Sequence, residues 1–437
     1  MIGSSSPRGP HAGLQLGGAR ARGMEGRQAC VGGGHVPRPA RAALLGIDAS
    51  STYAIMRVMR ARGRHLGLFA LGALSACTLV TSLDALQGGG GGGGGPSAAQ
   101  STGTVGGGSG QGGDASTDAL GPGCDGGLVP CGDRCVDATV DPAHCGGCDH
   151  ACGGAACKDG LCEPTALISG PKGPHGIAVA GDAVYFTAYS EGTVRKIPTT
   201  GGPADTLASG QGLPSMIALS STTLFWTTWD DGAIRSVPLQ GGTLATLVTG
   251  EYSTFGVAID KTSVFWGTYS AGALKRAPLT GGPVEPLYIG AHIVLVAADG
   301  GDIYWTDDGD GTVDKRSADG SIVTLAAAQS GPWGLALDTD SVYFSNQAAG
   351  TVNKVPKAGG SVTMLVAGLT QPRCIAVDNG FVYFANYGGN TVGKVAAGGG
   401  EAVTLAKNQA GPLCLAVDTT SVYWTNYAND TVMKVTK

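Results

Sequence analysis

The fold is decided by a stretch that repeats itself, residues 341–384: SVYFSNQAAGTVNKVPKAGGSVTMLVAGLTQPRCIAVDNGFVYF. An aliphatic residue followed by two aromatic residues occurs at Val342 and again 40 positions later at Val382. The same tripeptide type recurs with spacings of 39 or 40 residues, beginning at Val184, Leu224, Val264, Ile303, Val342, Val382 and Val422. A fixed period near 40 with several strand-like runs per unit predicts a β-propeller, in which small sheets are arranged radially.

Each unit is expected to contain four short strands, a to d. Strand b holds the aromatic pair, and strands a, c and d are typified by residues 176–179, 193–197 and 205–208. Glycine pairs such as Gly201-Gly202 separate c from d and supply the positive φ that tight hairpins need. Because β-branched and aromatic residues fill the runs without a 3.6-residue period, a helical interpretation fails.

The strand count predicts a seven-bladed all-β ring over residues 164–437. Strands a, b and c occur seven times, but d occurs only six times after the first a strand, because the chain stops at Lys437. The segment Thr165–Ser169 matches the d pattern and is expected to complete the last blade. Closure of this kind removes exposed strand edges. A six-bladed ring is the alternative, and it would leave one unit without a place.

An export signal is predicted at residues 59–77, MRARGRHLGLFALGALSAC, where three arginines precede a short apolar run. The ending Leu74-Ser75-Ala76-Cys77 resembles the lipobox of bacterial lipoproteins. That resemblance implies acylation of Cys77, anchorage to a lipid bilayer, and an extracytoplasmic location at the outer membrane or cell surface of a Gram-negative bacterium. An ordinary cleaved signal peptide is the alternative, and inner-membrane retention stays open. Residues 1–58 are interpreted as a spurious or disordered extension, with Met59 or Met56 as the true start.

Residues 78–123 form a Gly/Ser-rich linker that is expected to be disordered, since it has few apolar side chains to bury. The segment 124–163 is expected to be a disulfide-rich module, because it cannot fold on a hydrophobic core. A zinc site at Cys145-x-x-Cys148 is the alternative, and His144 and His150 are expected to be surface residues. The eight cysteines predicted to form disulfides are Cys124, Cys131, Cys135, Cys145, Cys148, Cys152, Cys157 and Cys162.

The string CGDRCVDATVDPAHCGGCDHAC resembles the stigma-specific cysteine-rich family, which implies an extracellular interaction or spacer module. The aromatic pairs, including Tyr304-Trp305-Thr306-Asp307, resemble the Tyr-Trp-Thr-Asp repeats of lipoprotein-receptor propellers, which have six blades. The repeat array is also distantly similar to the seven-bladed propellers of the virginiamycin B lyase type. Lyases of that type use histidine on the face of the propeller, which implies a possible general base at His175 or His292.

Two rings of variable positions are predicted on the face that carries the d–a and b–c connections, here called the loop face. The inner ring holds the residue before the start of each strand a and should line the channel mouth: His175, Ser215, Phe255, Val294, Trp333, Arg373 and Leu413. The outer ring holds the residue just past each strand b: Tyr189, Trp229, Tyr269, Asp308, Gln347, Tyr387 and Tyr427. Rigid aromatic side chains with a few polar groups are typical of recognition surfaces. Packing against neighbouring turns is the alternative for each outer aromatic residue.

Cys374 and Cys414 occupy equivalent positions in adjacent units, and two buried thiols are expected there, with a disulfide as the alternative. The acidic segment from Asp307 to Gly311 lacks the downstream glutamate of a calcium loop, so a solvated turn is expected. No metal or cofactor is expected.

Binding of a glycan, peptide or protein on the loop face is the favoured function, because units of about 40 residues leave no room for a catalytic insertion. A lyase or hydrolase using His175 or His292, and a structural spacer, are the alternatives. The propeller is expected to be monomeric. The net charge of −5 gives no indication of nucleic-acid binding.

Overall fold

The computed structural model describes residues 124–437, and all regular structure in that range is β-strand. No helix within it could cross a membrane. The predicted extension, signal peptide, lipidation site at Cys77 and linker lie outside the described residues.

The cysteine-rich segment contains two small antiparallel hairpins: β1 (Val129–Cys131) with β2 (Arg134–Val136), and β3 (Cys157–Lys158) with β4 (Leu161–Cys162). Its eight cysteines form four disulfides, as predicted: Cys124–Cys135, Cys131–Cys148, Cys145–Cys157 and Cys152–Cys162. Three sulfur atoms of this segment lie within 4.8 Å of one another, but all three belong to disulfides and are therefore not thiolates that could bind zinc. The zinc alternative is therefore wrong.

Seven four-stranded antiparallel sheets follow, and in six of them the strands run in chain order from the channel outward. Before them comes β5 (Thr165–Ser169), which joins the last blade. Blade 1 is β6 (Pro174–Ala180), β7 (Ala183–Ala188), β8 (Thr193–Pro198) and β9 (Asp205–Ala208); blade 2 is β10 (Pro214–Leu219), β11 (Thr223–Thr228), β12 (Ile234–Pro238) and β13 (Ala245–Val248); blade 3 is β14 (Thr254–Ile259), β15 (Ser263–Thr268), β16 (Ala273–Pro278) and β17 (Glu285–Ile289); blade 4 is β18 (Ile293–Asp299), β19 (Asp302–Asp307), β20 (Thr312–Arg316) and β21 (Ile322–Ala326); blade 5 is β22 (Pro332–Leu337), β23 (Ser341–Asn346), β24 (Thr351–Pro356) and β25 (Thr363–Val366); blade 6 is β26 (Pro372–Asp378), β27 (Phe381–Asn386), β28 (Thr391–Ala396) and β29 (Val403–Ala406); blade 7 is β30 (Pro412–Val417), β31 (Ser421–Asn426) and β32 (Thr431–Thr436), followed by β5.

The ring closes as the strand count predicts. β5 pairs antiparallel with β32, with Ser169 opposite Thr431 and Thr165 opposite Lys434. The inner strand of blade 7, β30, also contacts the inner strand of blade 1, β6. The described propeller therefore has seven blades and a last blade shared between the two ends of the repeat array.

The aromatic pairs build the core between blades. The second aromatic residue of each pair is almost completely buried, and four of these residues are tryptophans: Trp226, Trp266, Trp305 and Trp424. The outer strands contribute a leucine at one equivalent position in every blade: Leu167, Leu207, Leu247, Leu287, Leu325, Leu365 and Leu405. These rings and leucines provide the apolar surface whose burial stabilises the repeat.

The cysteine-rich segment packs against the propeller. Cys145 and Cys152 belong to one buried cluster with Tyr383 and Trp424 of blades 6 and 7. The imidazole of His150 bridges the two parts: Nδ1 lies 2.5 Å from the Cys145 carbonyl oxygen and Nε2 lies 2.7 Å from that of Lys437. His150 is half-buried at this junction, and His144 is half-buried as well.

The inner strands alternate small and large residues at one position around the channel. Blades 1, 3 and 5 carry Gly176, Gly256 and Gly334, and a Cβ at each would lie 2.3 to 2.5 Å from a carbonyl oxygen of the next inner strand. Glycine is therefore required there by close backbone approach. Blades 2 and 4 carry Met216 and Leu295 instead.

Blades 6 and 7 carry Cys374 and Cys414 at this position, and the two are joined by a disulfide with a Cα–Cα distance of 4.7 Å. The expectation of two free thiols is wrong, because inner strands approach each other more closely at the channel than the spacing of blades suggested. The disulfide lies within the range of Cα separations that permits a bridge.

Candidate functional site

The inner-ring residues lie on a β-bulge that every blade shares. Each is the second residue of its strand a, and not the residue before it as the sequence suggested. In blade 1 the pairing jumps from Pro174 opposite Ala188 to Ile177 opposite Phe186, so strand a contains one extra residue. The same shift occurs in the other six blades. A bulge redirects side chains locally, which here brings the inner ring together at the mouth.

The mouth is filled by its own side chains. Five inner-ring residues are buried, and Trp333 and Arg373 are half-buried. The inner-ring side chains therefore pack together at the channel mouth. Deeper in the channel lies a cavity of about 170 Å³, whose lining includes Met216, Leu295 and the Cys374–Cys414 pair.

The outer ring lies where the sequence placed it, one residue past each strand b, and all seven members are half-buried. Tyr189 stacks on the His175 imidazole with ring centroids 5.3 Å apart, and Tyr427 meets the same imidazole edge-on at 6.3 Å. Phe255 contacts His175 from another side at 5.6 Å. The buried imidazole is therefore surrounded by aromatic rings from blades 1, 3 and 7.

The ring contacts continue across blades 2 to 4. Trp229 lies 6.1 Å from Phe255 and 6.0 Å from Tyr269, centroid to centroid. Tyr269 stacks on His292 at 4.5 Å and donates a hydrogen bond of 3.1 Å to Asp308. Two rings predicted separately from the sequence thus form one continuous surface.

Arg373 completes this surface on blades 5 and 6. Its guanidinium carbon lies 4.1 Å from the centroid of Trp333 and 5.3 Å from that of Tyr387. Trp333 in turn contacts Phe255 at 5.5 Å. The flat guanidinium of Arg373 therefore makes cation–π contacts with rings from blades 5 and 6. All seven blades therefore contribute to one network, here called the mouth network.

Hydroxyl groups position five of the seven inner-ring residues. In each case a threonine or serine near the end of strand b donates a hydrogen bond to the carbonyl oxygen of the inner-ring residue in the next blade. The pairs are Thr187 to Ser215, Thr227 to Phe255, Thr306 to Trp333, Ser345 to Arg373 and Thr425 to His175, at 2.6 to 3.0 Å. Gly267 and Ala385 occupy the donor position before Val294 and Leu413. The five inner-ring residues held by a hydroxyl group are therefore those with polar or aromatic side chains.

The mouth is a poorly hydrated environment. Burial, aided by the positive charge of Arg373, lowers the pKa of His175 to about 3, although the Ser215 backbone opposes this shift. Burial raises the pKa of Tyr269 to about 12, and the Asp308 carboxylate adds to the shift. Burial likewise raises the pKa of Tyr189. At neutral pH the imidazole and both phenols are therefore uncharged, and Arg373 carries the charge of the inner ring.

Three inner-ring side chains bury a polar atom that has no hydrogen-bond partner among the described residues. These atoms are His175 Nδ1, Ser215 Oγ and Trp333 Nε1. Leaving such an atom unpaired costs about 1–3 kcal/mol, and each case calls for an explanation such as function. All three belong to the inner ring at the channel mouth.

The acidic segment of blade 4 is a turn, as expected. The buried Asp307 carboxylate accepts hydrogen bonds from the backbone N–H groups of Ala291, His292, Gly309 and Asp310 at 2.8 to 3.1 Å. With its oxygens used in this way, Asp307 holds the d–a and b–c connections of blade 4 together.

The loop face includes one aromatic residue that the two predicted rings missed. Tyr252, in the connection from blade 2 to blade 3, is 61% exposed. The backbone N–H of the adjacent Ser253 donates to the Trp229 carbonyl oxygen. The available signal was that Tyr252 stands where equivalent units have Gly212, Ala291 or Ala410. His292, considered only as a base, belongs to the network through its stacking on Tyr269.

No family model matches the chain, and no curated protein matches it. Among solved structures, virginiamycin B lyase from Staphylococcus aureus is similar, with a TM-score of 0.56 and 16% identity over 63% of this chain and 98% of the lyase. A streptogramin B lyase gives 0.56 and 15% identity, with 62% and 96% of the two chains covered. The WD40 propeller domain of Doa1 gives 0.55 and 14% identity, with 62% and 95% covered. The chain is thus distantly similar in structure to lyase-type propellers. At sequence identities of 14 to 16% this similarity establishes the propeller fold.

Proposed function

We propose that this protein is a binding module that takes its ligand on the mouth network of the loop face. The observation that carries the proposal is the concentration of unpaired buried polar atoms in the inner ring, surrounded by half-buried aromatic side chains from neighbouring blades. Rigid aromatic groups bury area at low entropic cost, and a few polar groups then fix orientation. β-Propellers commonly mediate ligand or protein binding, so the fold is consistent with this role.

The geometry supports binding better than catalysis. His175 has a pKa near 3 and is therefore a very weak base. His292 stacks on Tyr269, whereas His175 stacks on Tyr189, so the two imidazoles belong to different stacks. The lyase or hydrolase alternative needs a base with a pKa closer to the working pH, and His175 does not supply one.

The proposal includes a lipid-anchored, extracytoplasmic location. Its support is the lipobox-like sequence ending at Cys77 and the four disulfides of the cysteine-rich segment, which are typical of oxidising compartments. The cysteine-rich segment would then be an extracellular spacer or interaction module fixed to the propeller. Mass spectrometry of the purified protein should find an acylated Cys77 at the mature N-terminus, and Cys77→Ser should release the protein from membranes. An unmodified cysteine would contradict the anchor and leave the binding proposal intact.

The binding site is tested with a glycan and peptide array on the full chain. Trp333→Ala and Arg373→Ala should each abolish the signal of any ligand found. Phe381→Ala, at the start of a strand b on the opposite face, is the matched control and should bind normally. Thermal melting of each variant, with the milder Trp333→Phe in addition, separates lost binding from lost folding. Binding that survives both mouth substitutions would reject the site.

A further inference from the structure

We propose that Lys394 of blade 6 is a reactive amine that takes an aldehyde as a covalent imine. Its ammonium lies 5.1 Å from the ring centroid of Phe381, at the start of strand b and away from the loop face. The site is therefore separate from the mouth network and goes beyond the proposed binding function. Its support is a comparison of Lys394 with the equivalent residues of the other blades.

One position of strand c, opposite the first aromatic residue of strand b, is basic in six of the seven blades. Its residues are Lys196, Ser236, Arg276, Lys315, Lys354, Lys394 and Lys434. Five of the six cations reach an oxygen atom at 2.6 to 3.2 Å, on Gln240, Glu285, Asp302, Ala397 and Thr199. Within residues 124–437, Lys394 is the one member of this set whose ammonium has neither a hydrogen bond nor an ion pair.

The acceptor that Lys394 lacks is engaged by the cysteine-rich segment. Three of the equivalent lysines donate to the carbonyl oxygen of the residue that follows strand c in the next blade, as Lys354 does to Ala397 at 2.6 Å. For Lys394 the corresponding residue is Lys437, which follows β32. The carbonyl oxygen of Lys437 instead lies 2.7 Å from His150 Nε2. The junction between the cysteine-rich segment and the propeller thus uses the oxygen that would otherwise stabilise the Lys394 ammonium.

The charged group that faces Lys394 is a second ammonium. Lys437 Nζ lies 5.4 Å from the ring centroid of Tyr383, and Tyr383 is the cross-strand partner of Lys394. The Asp378 carboxylate pairs with Lys437 and not with Lys394. Tyr383 is uncharged at neutral pH, since burial raises its pKa to about 12. On the other side Lys394 pairs with Val403 of strand d, which brings no charge.

These surroundings favour the unprotonated amine. Burial, aided by the positive charge of Lys437, lowers the pKa of Lys394. In blade 4 the hydrogen bond to Asp302 has the opposite effect and raises the pKa of Lys315. Only the unprotonated amine has a free electron pair, and desolvation beside another cation is a recognised way to activate a lysine as a nucleophile.

An aldehyde is the partner that suits such an amine. The nitrogen adds its electron pair to the aldehyde carbon, and its surplus proton passes to the carbonyl oxygen. The resulting carbinolamine loses water to give the imine, so the reaction needs no oxidant or reductant. The ring of Phe381, which is 37% exposed, offers an apolar surface beside the nitrogen. An uncharged aldehyde with a short alkyl chain fits this surface.

The test is reductive alkylation of the full chain with limiting propanal and cyanoborohydride at pH 7. Hydride adds to the imine carbon and fixes the product, and peptide mass spectrometry gives the rate at each lysine. Lys354, the equivalent residue with an acceptor, is the internal control. We expect Lys394 to react at least fivefold faster than Lys354. The ratio should fall as the pH approaches 10, because both amines then lose their protons.

Two variants distinguish activation from mere exposure. Lys437→Met removes the neighbouring charge and frees its carboxylate partner, so it should slow Lys394 at least threefold at pH 7. Lys357→Met removes the ammonium at the equivalent place in blade 5, where it pairs with Asp299, and should leave the rate at Lys394 unchanged. Thermal melting checks that both variants are folded. A rate at Lys394 equal to or below that of Lys354, or an unchanged rate in Lys437→Met, would overturn the inference.

Discussion

The closure of the ring gives the sharpest test of the fold. Leu167 lies on β5, ahead of the first blade in sequence, yet it is 7% exposed and belongs to the core. Leu365 occupies the equivalent position in blade 5 and is 8% exposed. A Cβ at Gly201 would lie 3.7 Å from Leu167 Cδ2, and one at Gly241 the same distance from Leu207 Cδ2. Leu167 therefore packs on the next blade as an ordinary outer-strand leucine does.

Substitution of either leucine by alanine should cost the same. Burial is nearly complete at both sites, and Leu→Ala changes in cores cost about 2–5 kcal/mol through lost transfer energy and the cavity left behind. We expect the free energy of unfolding to fall by about 3 kcal/mol in both Leu167→Ala and Leu365→Ala, within the usual spread of such measurements.

The assay is equilibrium denaturation in guanidinium chloride followed by tryptophan fluorescence, since all six tryptophans lie between residues 226 and 424. If the slope of the free energy of unfolding against denaturant concentration is unchanged, the substitution has changed only the stability. Hydrogen exchange adds a local measurement, because β5 protects the outer edge of β32. A cost below about 0.5 kcal/mol for Leu167→Ala, beside about 3 kcal/mol for Leu365→Ala, would refute closure by the N-terminal strand.

Three further predictions concern the mouth and channel. His175 has a folded-state pKa near 3, below its ordinary 6.5, so the unfolded chain binds the proton first as pH falls. The free energy of unfolding should therefore decrease by about 3–5 kcal/mol from pH 6.5 to 3 through this group. His175→Gln should remove that part of the pH dependence when denaturation is measured over this pH range. An equal pH dependence in the variant and the original protein would contradict a neutral, buried imidazole. Replacing Cys374 and Cys414 by serine opens a covalent loop with a separation of 40 residues, and should lower stability by about 2–4 kcal/mol in the same assay; an unchanged midpoint would show that the bridge adds no stability. Gly176→Ala should lower the free energy of unfolding by about 1–3 kcal/mol through overpacking, which would be measured as a lower melting temperature. Gly398→Ala is the control, because the space around its Cβ is open and its melting temperature should not change.

The repeat made the fold readable from the sequence. Seven aromatic pairs at a nearly constant spacing gave the blade count, and the d-like pattern of residues 165–169 gave the closing strand with the bounds that the structure has. The outer ring was also predictable, because the residue after strand b keeps a fixed place in every unit. The blade count, the closing strand and the outer ring depend on local sequence patterns, and these can be recognised in a single sequence.

The mouth was less predictable, because it depends on how adjacent blades meet. The bulge in strand a turns the inner ring inward, and its effect on His175 depends on rings from three blades. The sequence shows a threonine at position 187, but it does not show that its hydroxyl donates to the Ser215 carbonyl oxygen of the next blade. The approach of Cys374 to Cys414 likewise reflects the tight packing of inner strands at the channel.

The alternation of glycine with larger residues around the channel has a consequence for how such a protein can change its number of blades. An alternation of small and large residues can continue unbroken around a ring with an even number of blades. In a ring with an odd number of blades, two adjacent blades must at one place carry residues of the same kind. In this chain that place is occupied by Cys374 and Cys414, which join each other instead of competing for space. Gain or loss of one unit at this place would give an even ring with an unbroken alternation, whereas the same change anywhere else would set a second pair of like residues side by side. The bonded cysteines therefore mark the place at which the number of blades could change by one without a new clash.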